Sequence, residues 1–206
     1  MSEIKTIKSK FMKNVFDQNT YVLINKNEVV IIDAGAELED VLNAIGDKKV
    51  LAILVTHLHF DHIWNIEEYL NKFKCDLYIC DGQEKRFLDN MLNGSFMVRQ
   101  NITKNVSKEL IKYYAKNLKI GSFNFEIFFT PGHTSDCVCI KWNENLFTGD
   151  TIFDDAIGRT DLPDSSNSDM INSLRLIQTI DFMVAYPGHY DSASKDKILK
   201  TISYYI

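Results

Sequence analysis

Thr56-His57-Leu58-His59-Phe60-Asp61-His62 puts three imidazoles and a carboxylate within six residues. Ahead of it, Val50-Leu51-Ala52-Ile53-Leu54-Val55 is an apolar, partly β-branched run that reads as a buried strand. Behind it, Ile63 to Phe73 has helical periodicity. The motif therefore sits on a loop leaving a strand end, where sheet proteins place their chemistry. His57 and His59 alternate, so both rings can face one way, and Asp61 and His62 reach a second point from the turn. A lone histidine would read as a surface or capping residue. This cluster does not, because the other two of the chain's five histidines repeat the setting. His133 and His189 each follow Pro-Gly after a strand-like run, and Asp150 follows Leu146-Phe147-Thr148-Gly149. Every histidine stands at a strand exit, which is the pattern of a ligand set.

The whole chain bounds the partners. Its 206 residues, 45% of them hydrophobic, fit one domain with a full core, spanning residues 1–206. A net charge of −5 argues against nucleic acid or an anionic membrane surface, and no apolar stretch approaches a membrane span. Met1 to Lys10 lacks the continuous apolar core of a signal peptide, so a cytoplasmic location is expected. Cys75, Cys80, Cys137 and Cys139 are then expected as buried, reduced thiols rather than disulfides.

In order, Ile4 to Met12, Tyr21 to Ile24 and Val29 to Ile32 read as three strands joined by short turns, an antiparallel meander ending at Asp33-Ala34-Gly35. Glu37 to Ile45 is a short amphipathic helix stopped by Gly46. After the motif come the Ile63 to Phe73 helix and a Leu77 to Ile79 strand. From Gly82 to Lys119 the pattern loosens, with helices expected at Phe87 to Leu92 and Lys108 to Lys116. Phe87, Met91, Phe96, Met97, Tyr113 and Tyr114 in that polar stretch suggest a cover laid over the metal loop. Strands resume at Phe123 to Phe129, Cys137 to Trp142 and Leu146 to Thr148. A helix at Met170 to Ile180, a strand at Phe182 to Tyr186 and a helix at Lys195 to Tyr205 complete the chain. The fold class is α/β. Two halves of this order suit a two-sheet sandwich with helices outside and ligands at one edge.

Imidazole with carboxylate and no thiolate suits zinc, with iron or manganese as alternatives. His57, His59, Asp61, His62, His133, Asp150 and His189 exceed the needs of one tetrahedral ion and suffice for two, with Asp150 shared. The carboxylates Asp61 and Asp150 are the candidate catalytic residues. Two metals a few ångströms apart hold a hydroxide between them at neutral pH.

These residues, together with Asp33-Ala34-Gly35 and Tyr186-Pro187-Gly188-His189, resemble the metallo-β-lactamase superfamily over nearly the whole chain. The resemblance implies an αββα sandwich of two mixed β-sheets with helices outside. It implies one metal on His57, His59 and His133, a second on Asp61, His62 and His189, and Asp150 bridging. Asp33 would stand behind the ligands and orient the metal loop. The superfamily's β-lactamases commonly carry cysteine where Asp150 stands, its oxygen reductases carry glutamate at the place of His59, and its nucleases add a domain or arm, departures that speak against antibiotic hydrolysis as the main task and against the other two branches. Gly149 to Phe153 and Gly158-Arg159-Thr160-Asp161-Leu162-Pro163 are similar to the glyoxalase II-like (hydroxyacylglutathione hydrolase-like) hydrolases. There a basic residue at the place of Arg159 contacts the thiol's carboxylate end; an ion pair with Asp161 or Asp164 is its structural alternative. Asp161 stands where those enzymes carry tyrosine, a departure from the glutathione-gripping pattern.

The expectation is a di-zinc hydrolase that cleaves a thioester or similar activated acyl bond by a metal-bridging hydroxide. Its partner is a small-molecule substrate, an anionic thioester if Arg159 serves it. Persulfide dioxygenases share the Gly-Arg-Thr-Asp run and need only iron on His57, His133 and Asp150, which makes them the first alternative. A non-catalytic metal-binding module is the second. No oligomeric state is specified by these residues.

Overall fold

The structure is a computed structural model that describes residues 2–10 and 17–206. Its strands are β1 (Ser2–Lys8), β2 (Asn19–Asn25), β3 (Glu28–Ile32), β4 (Lys49–Leu54), β5 (Asp76–Ile79) and β6 (Ile111–Tyr113) in one sheet, paired in that order. The second sheet runs β12 (Ala193–Ser194), β11 (Val184–Pro187), β10 (Asn145–Gly149), β9 (Val138–Trp142), β8 (Phe123–Phe129) and β7 (Asn117–Ile120). Both are mixed: β3 to β6 pair parallel and so do β10 and β11, while the other neighbours are antiparallel.

Strand periodicity sorts the core into three layers. In β2, Tyr21 and Leu23 face the other sheet, joining Phe123, Phe125, Ile140, Trp142 and Phe147. The alternate residues Val22 and Ile24 face outward and pack with Val41, Ile45, Ile66, Tyr69 and Leu70 of α1 (Leu38–Ile45) and α2 (Ile66–Phe73). On the second sheet's outer face, Cys139 and Leu146 meet Met170, Leu174, Ile177, Ile198 and Ile202 of α3 (Asn167–Thr179) and α4 (Lys195–Ile202). The result is the expected αββα sandwich. Ser166 and Ser194 cap α3 and α4, accepting from the amides of Asp169 and Lys197. Gly46 ends α1 at φ 60°, donating to the Leu42 carbonyl.

The β1–β3 meander matches expectation, and Cys75, Cys137 and Cys139 are buried as expected, whereas Cys80 is half-buried. The described part of the first strand is Ser2–Lys8; the expectation that it continues to Met12 falls partly on residues 11–16, outside the described residues. Two helices are corrected. Phe87 to Leu92 is not helical beyond a 3₁₀ turn at Glu84–Phe87. Lys108 to Lys116 is a 3₁₀ turn at Lys108–Leu110 followed by β6. Ile111 to Tyr113 lies along Leu77 to Ile79 and satisfies that strand's open edge, so pairing overrides helical propensity. The edge strand β7 is not foreseen from the sequence, because its Asn-Leu-Lys-Ile alternation lasts only four residues.

Phe123 is fully buried between the sheets, 5.2 Å from the Trp142 ring and ten residues ahead of the nearest candidate ligand in sequence, His133. Phe123→Ala is expected to lower unfolding free energy by about 3–5 kcal/mol in a denaturant titration while leaving metal content unchanged.

Candidate metal centre

The predicted ligands come from the carboxyl ends of strands in both sheets. β4 ends at Leu54 and releases His57, His59, Asp61 and His62; β8 leads to His133, β10 to Asp150 and β11 to His189. All seven converge. Ligand-capable atoms of His57, His59 and His133 lie within 4.8 Å of one another, as do those of Asp61, His62 and His189. Asp150 forms a third such group with His57 of the first trio and His62 of the second. Its Oδ1 is 3.3 Å from His62 Nε2, and its Oδ2 is 3.6 Å from His133 Nε2 and 3.4 Å from His189 Nε2. The carboxylate thus faces both trios.

Burial makes this arrangement costly without a cation. His57 Nε2, His62 Nε2 and Asp150 Oδ1 are buried and have no hydrogen-bond partner, whereas buried polar atoms in native proteins are nearly always paired. Electrostatics point the same way. Burial pushes the His57 pKa well below its ordinary value, reinforced by His62 and His59, and brings His59 to about 3 with help from His133. For His62 burial again opposes charge, but Asp33, Asp150 and Asp61 overcome it and hold the pKa well above ordinary. His189 is likewise lifted to about 10, as Asp150 and Asp61 outweigh its burial. Burial would raise Asp61, yet His62 and His189 hold it at about 2; Asp150 is also held well below its ordinary range by His189 and His62 against its burial. The carboxylates therefore demand positive charge beside them, from imidazolium protons or from metal ions. Neutral imidazole and carboxylate are a donor set that zinc, iron and manganese accept, so the residues fit a dimetal site.

Residues behind the ligands fix their direction. Asp33 Oδ2 accepts from His62 Nδ1 at 2.8 Å, which turns Nε2 into the site. Asp33 Oδ1 accepts from the Thr56 amide at 2.8 Å, and Oδ2 from the Thr56 hydroxyl at 2.9 Å. To do this Asp33 adopts φ 61°, a left-handed conformation uncommon outside glycine. His133 Nδ1 lies 2.9 Å from the Arg159 carbonyl, which leaves its Nε2 for the site. Sequence reading finds Asp33 but misses the glycines that let these loops meet. A Cβ at Gly188 would lie 2.2 Å from Asp150 Oδ1 and 2.5 Å from His62 Cε1. At Gly158 it would lie 1.9 Å from the Asp150 carbonyl. The signal was present as Pro-Gly-His and Gly-Arg, but only three dimensions show what the missing side chain admits.

Beside the ligands opens a cavity of about 610 Å³, walled by Met97, Phe153, Ile157 and Leu162 with Arg159 and Tyr190 at its margin. The Gly82 to Lys119 segment covers the centre in part. Met97 lines the cavity and Gly94 packs on the His59 ring, whereas Phe87 and Tyr114 are buried core and Met91 and Tyr113 are exposed. Arg159 Nε and Nη2 both donate to Asp161 at 2.9 Å, so the ion pair foreseen as its structural alternative is formed.

Comparison with known proteins agrees with this geometry. The sequence profile of the metallo-beta-lactamase superfamily matches residues 14–189. The chain belongs to that superfamily. It is 33% identical over 178 residues to the probable metallo-hydrolase YqgX of Bacillus subtilis, covering 83% of this chain and 84% of the relative. Among solved structures it is similar to the B3 metallo-beta-lactamase BLEG-1, with a TM-score of 0.88 and 28% identity over 98% of this chain and 99% of that one. TTHA1623 in a di-iron-bound form shares the superfamily fold, with a TM-score of 0.81 at 22% identity over 97% and 99% of the two chains. Among the described residues no helix is long and apolar enough to cross a membrane.

Two substitutions test the centre. Asp150→Ala is expected to lower occupancy of both metal positions, since one carboxylate faces both; full metal retention would contradict the bridge. Gly188→Ala removes no ligand, yet its methyl group would displace Asp150 or His62. Metal analysis should find less than the wild-type content in a variant whose circular dichroism is unchanged.

Proposed function

We propose that the protein is a di-metal hydrolase of activated acyl bonds, with thioesters as its substrate class. The observation that carries this reading is the Asp150 carboxylate, which faces two complete ligand trios at the base of an apolar-walled cavity. His57, His59 and His133 would hold one ion, Asp61, His62 and His189 the other, and Asp150 both. When bound, such a pair of ions supplies a hydroxide at neutral pH and polarises a carbonyl as a Lewis acid. The chain's own residues set the rest. Met97, Phe153, Ile157 and Leu162 shield one side of the cavity from water and favour an acyl group with apolar surface. Apart from the ligands, the only proton-bearing side chains on the cavity among the described residues are Arg159 and the largely exposed Tyr190 phenol. A thiolate leaves without a proton where an amine needs one, which favours thioesters over amides.

Resemblance to the glyoxalase II-like hydrolases supports the same reading, and zinc is the metal that the hydrolysis favours. The iron-bound state of TTHA1623 makes iron the alternative to be measured. β-Lactam hydrolysis is a second reading, favoured by the likeness to BLEG-1, because a strained lactam is also an activated acyl bond. A persulfide dioxygenase needs only three of the seven ligands and leaves the convergence of His59, Asp61, His62 and His189 without a purpose. The deciding experiment is metal analysis alongside turnover of a thioester panel, a chromogenic cephalosporin, and a persulfide with oxygen uptake. Thioester turnover should dominate. Oxygen consumption with persulfide and no thioester cleavage would overturn the proposal.

Arg159 is proposed to select an anionic thiol carrier by pairing with its carboxylate. It is 61% exposed and already paired with Asp161, so water screens the contact. Arg159→Ala should raise KM for an anionic thioester only about twofold to fivefold at unchanged kcat, and leave a neutral one alone. Equal effects on both substrates would make the residue structural.

A further inference from the structure

The metal centre's two trios share one support and differ in another. Asp33 holds His62 directly and reaches the other trio only through Thr56, whose hydroxyl lies 3.3 Å from His57 Nδ1. Behind the other trio lies a second network, built around a guanidinium that the proposed chemistry does not use. Arg86 lies in the 3₁₀ turn of the covering segment, and its side chain is 1% exposed. Its Nη1 donates to the Leu92 carbonyl at 2.7 Å, its Nε to Gln83 Oε1 at 2.9 Å, and its Nη2 to Ser135 Oγ at 2.9 Å and to Asp164 Oδ2. Asp136 Oδ1 completes its shell as an ion pair, 3.2 Å from Nε.

Three of these partners lead to the same trio. Asp136 is buried, and its Oδ2 accepts from the Leu58 amide at 2.9 Å, so it grips the peptide between His57 and His59. Ser135 and Asp136 lie two and three residues beyond His133. Leu92 precedes Asn93, whose carbonyl accepts from the Phe60 amide at 2.8 Å, and Gly94, whose backbone rests on the His59 ring. Among the contacts of Arg86 none reaches Asp61, His62 or His189.

We propose that Arg86 is a positioning residue for one metal position alone: through Asp136, Ser135 and Leu92 it holds His57, His59 and His133 in register, while the direct hold of Asp33 is on His62 of the other position. A planar, permanently charged fork suits this task, because it ties three separate loops with fixed geometry that a lysine cannot copy. A buried charge of this kind is also unforgiving, since removing either partner strands the other. The inference rests on the two-metal reading.

The test is metal retention against graded chelator, read as zinc per chain, for the wild type, Arg86→Lys and the near-isosteric Asp136→Asn. Wild type should hold two ions; fewer would defeat the two-metal reading itself and not the role of Arg86. In the variants one ion should be lost at roughly ten- to hundredfold lower chelator strength, the usual effect of disturbing a residue that orients ligands, while the second stays at wild-type affinity. Adding His189→Ala to Asp136→Asn should then strip the remaining ion, whereas adding His133→Ala should leave it in place. Where Arg86→Lys does not fold, as circular dichroism will show, Asp136→Asn decides. Equal weakening of both ions in a folded variant, or of neither, overturns the proposal.

Discussion

His57 Nε2, His62 Nε2 and Asp150 Oδ1 are sealed from water and make no hydrogen bond in the protein, the 3.3 Å approach of His62 Nε2 to Asp150 Oδ1 being an ion pair alone. That is the constraint from which the rest follows. An unpaired buried polar atom costs on the order of 1–3 kcal/mol, and more where charge is involved. Three within a few ångströms, together with His59, Asp61, His133 and His189, make an arrangement that folding alone would disfavour. Cations remove the penalty by giving every inward-facing nitrogen and oxygen a partner at once. Metal binding would stabilise the fold for this reason.

The sandwich exists in a form that permits this convergence. Parallel pairing of β3 with β4 in one sheet, and of β10 with β11 in the other, brings four strand ends to the same edge. The sheets are tied there by polar contacts as well as by the apolar layer between them. The Tyr21 phenol donates to the Pro187 carbonyl, and the Asn19 amide donates to Gly188 at 2.7 Å. Glycines at the loop crossings let the backbones close to distances that a Cβ would forbid. Ligand geometry is thus held from the strands rather than from mobile loops, and the strained φ of Asp33 is maintained by the hydrogen bonds that it makes.

Much of this was legible in the sequence, for identifiable reasons. The seven ligands stood out because imidazole and carboxylate at strand exits have few structural uses. The three core layers were readable because residues such as Tyr21, Val22, Leu23 and Ile24 form a continuous apolar run, as a strand covered on both faces does. Lys108 to Lys116 misled because its pattern is ambiguous and its fate was decided by the open edge of β5, far away in sequence. Arg86 was invisible for a similar reason. A lone arginine in a polar stretch looks like surface, and its burial depends on Asp136 and Asp164, 50 and 78 residues further on. Arg159 stood out through family resemblance, and its pairing with Asp161 shows how little such a resemblance says about an exposed side chain.

The central claim is that one carboxylate joins two metal ions into a single reactive unit. X-ray absorption fine structure on the zinc-loaded protein reads this directly, because a second zinc scatters far more strongly than ligand carbons at similar range. A zinc–zinc component at about 3.5–4 Å is the result that a bridged pair predicts. A spectrum fitted fully by nitrogen and oxygen ligands with imidazole carbons, and no metal–metal component at two zinc per chain, would contradict it.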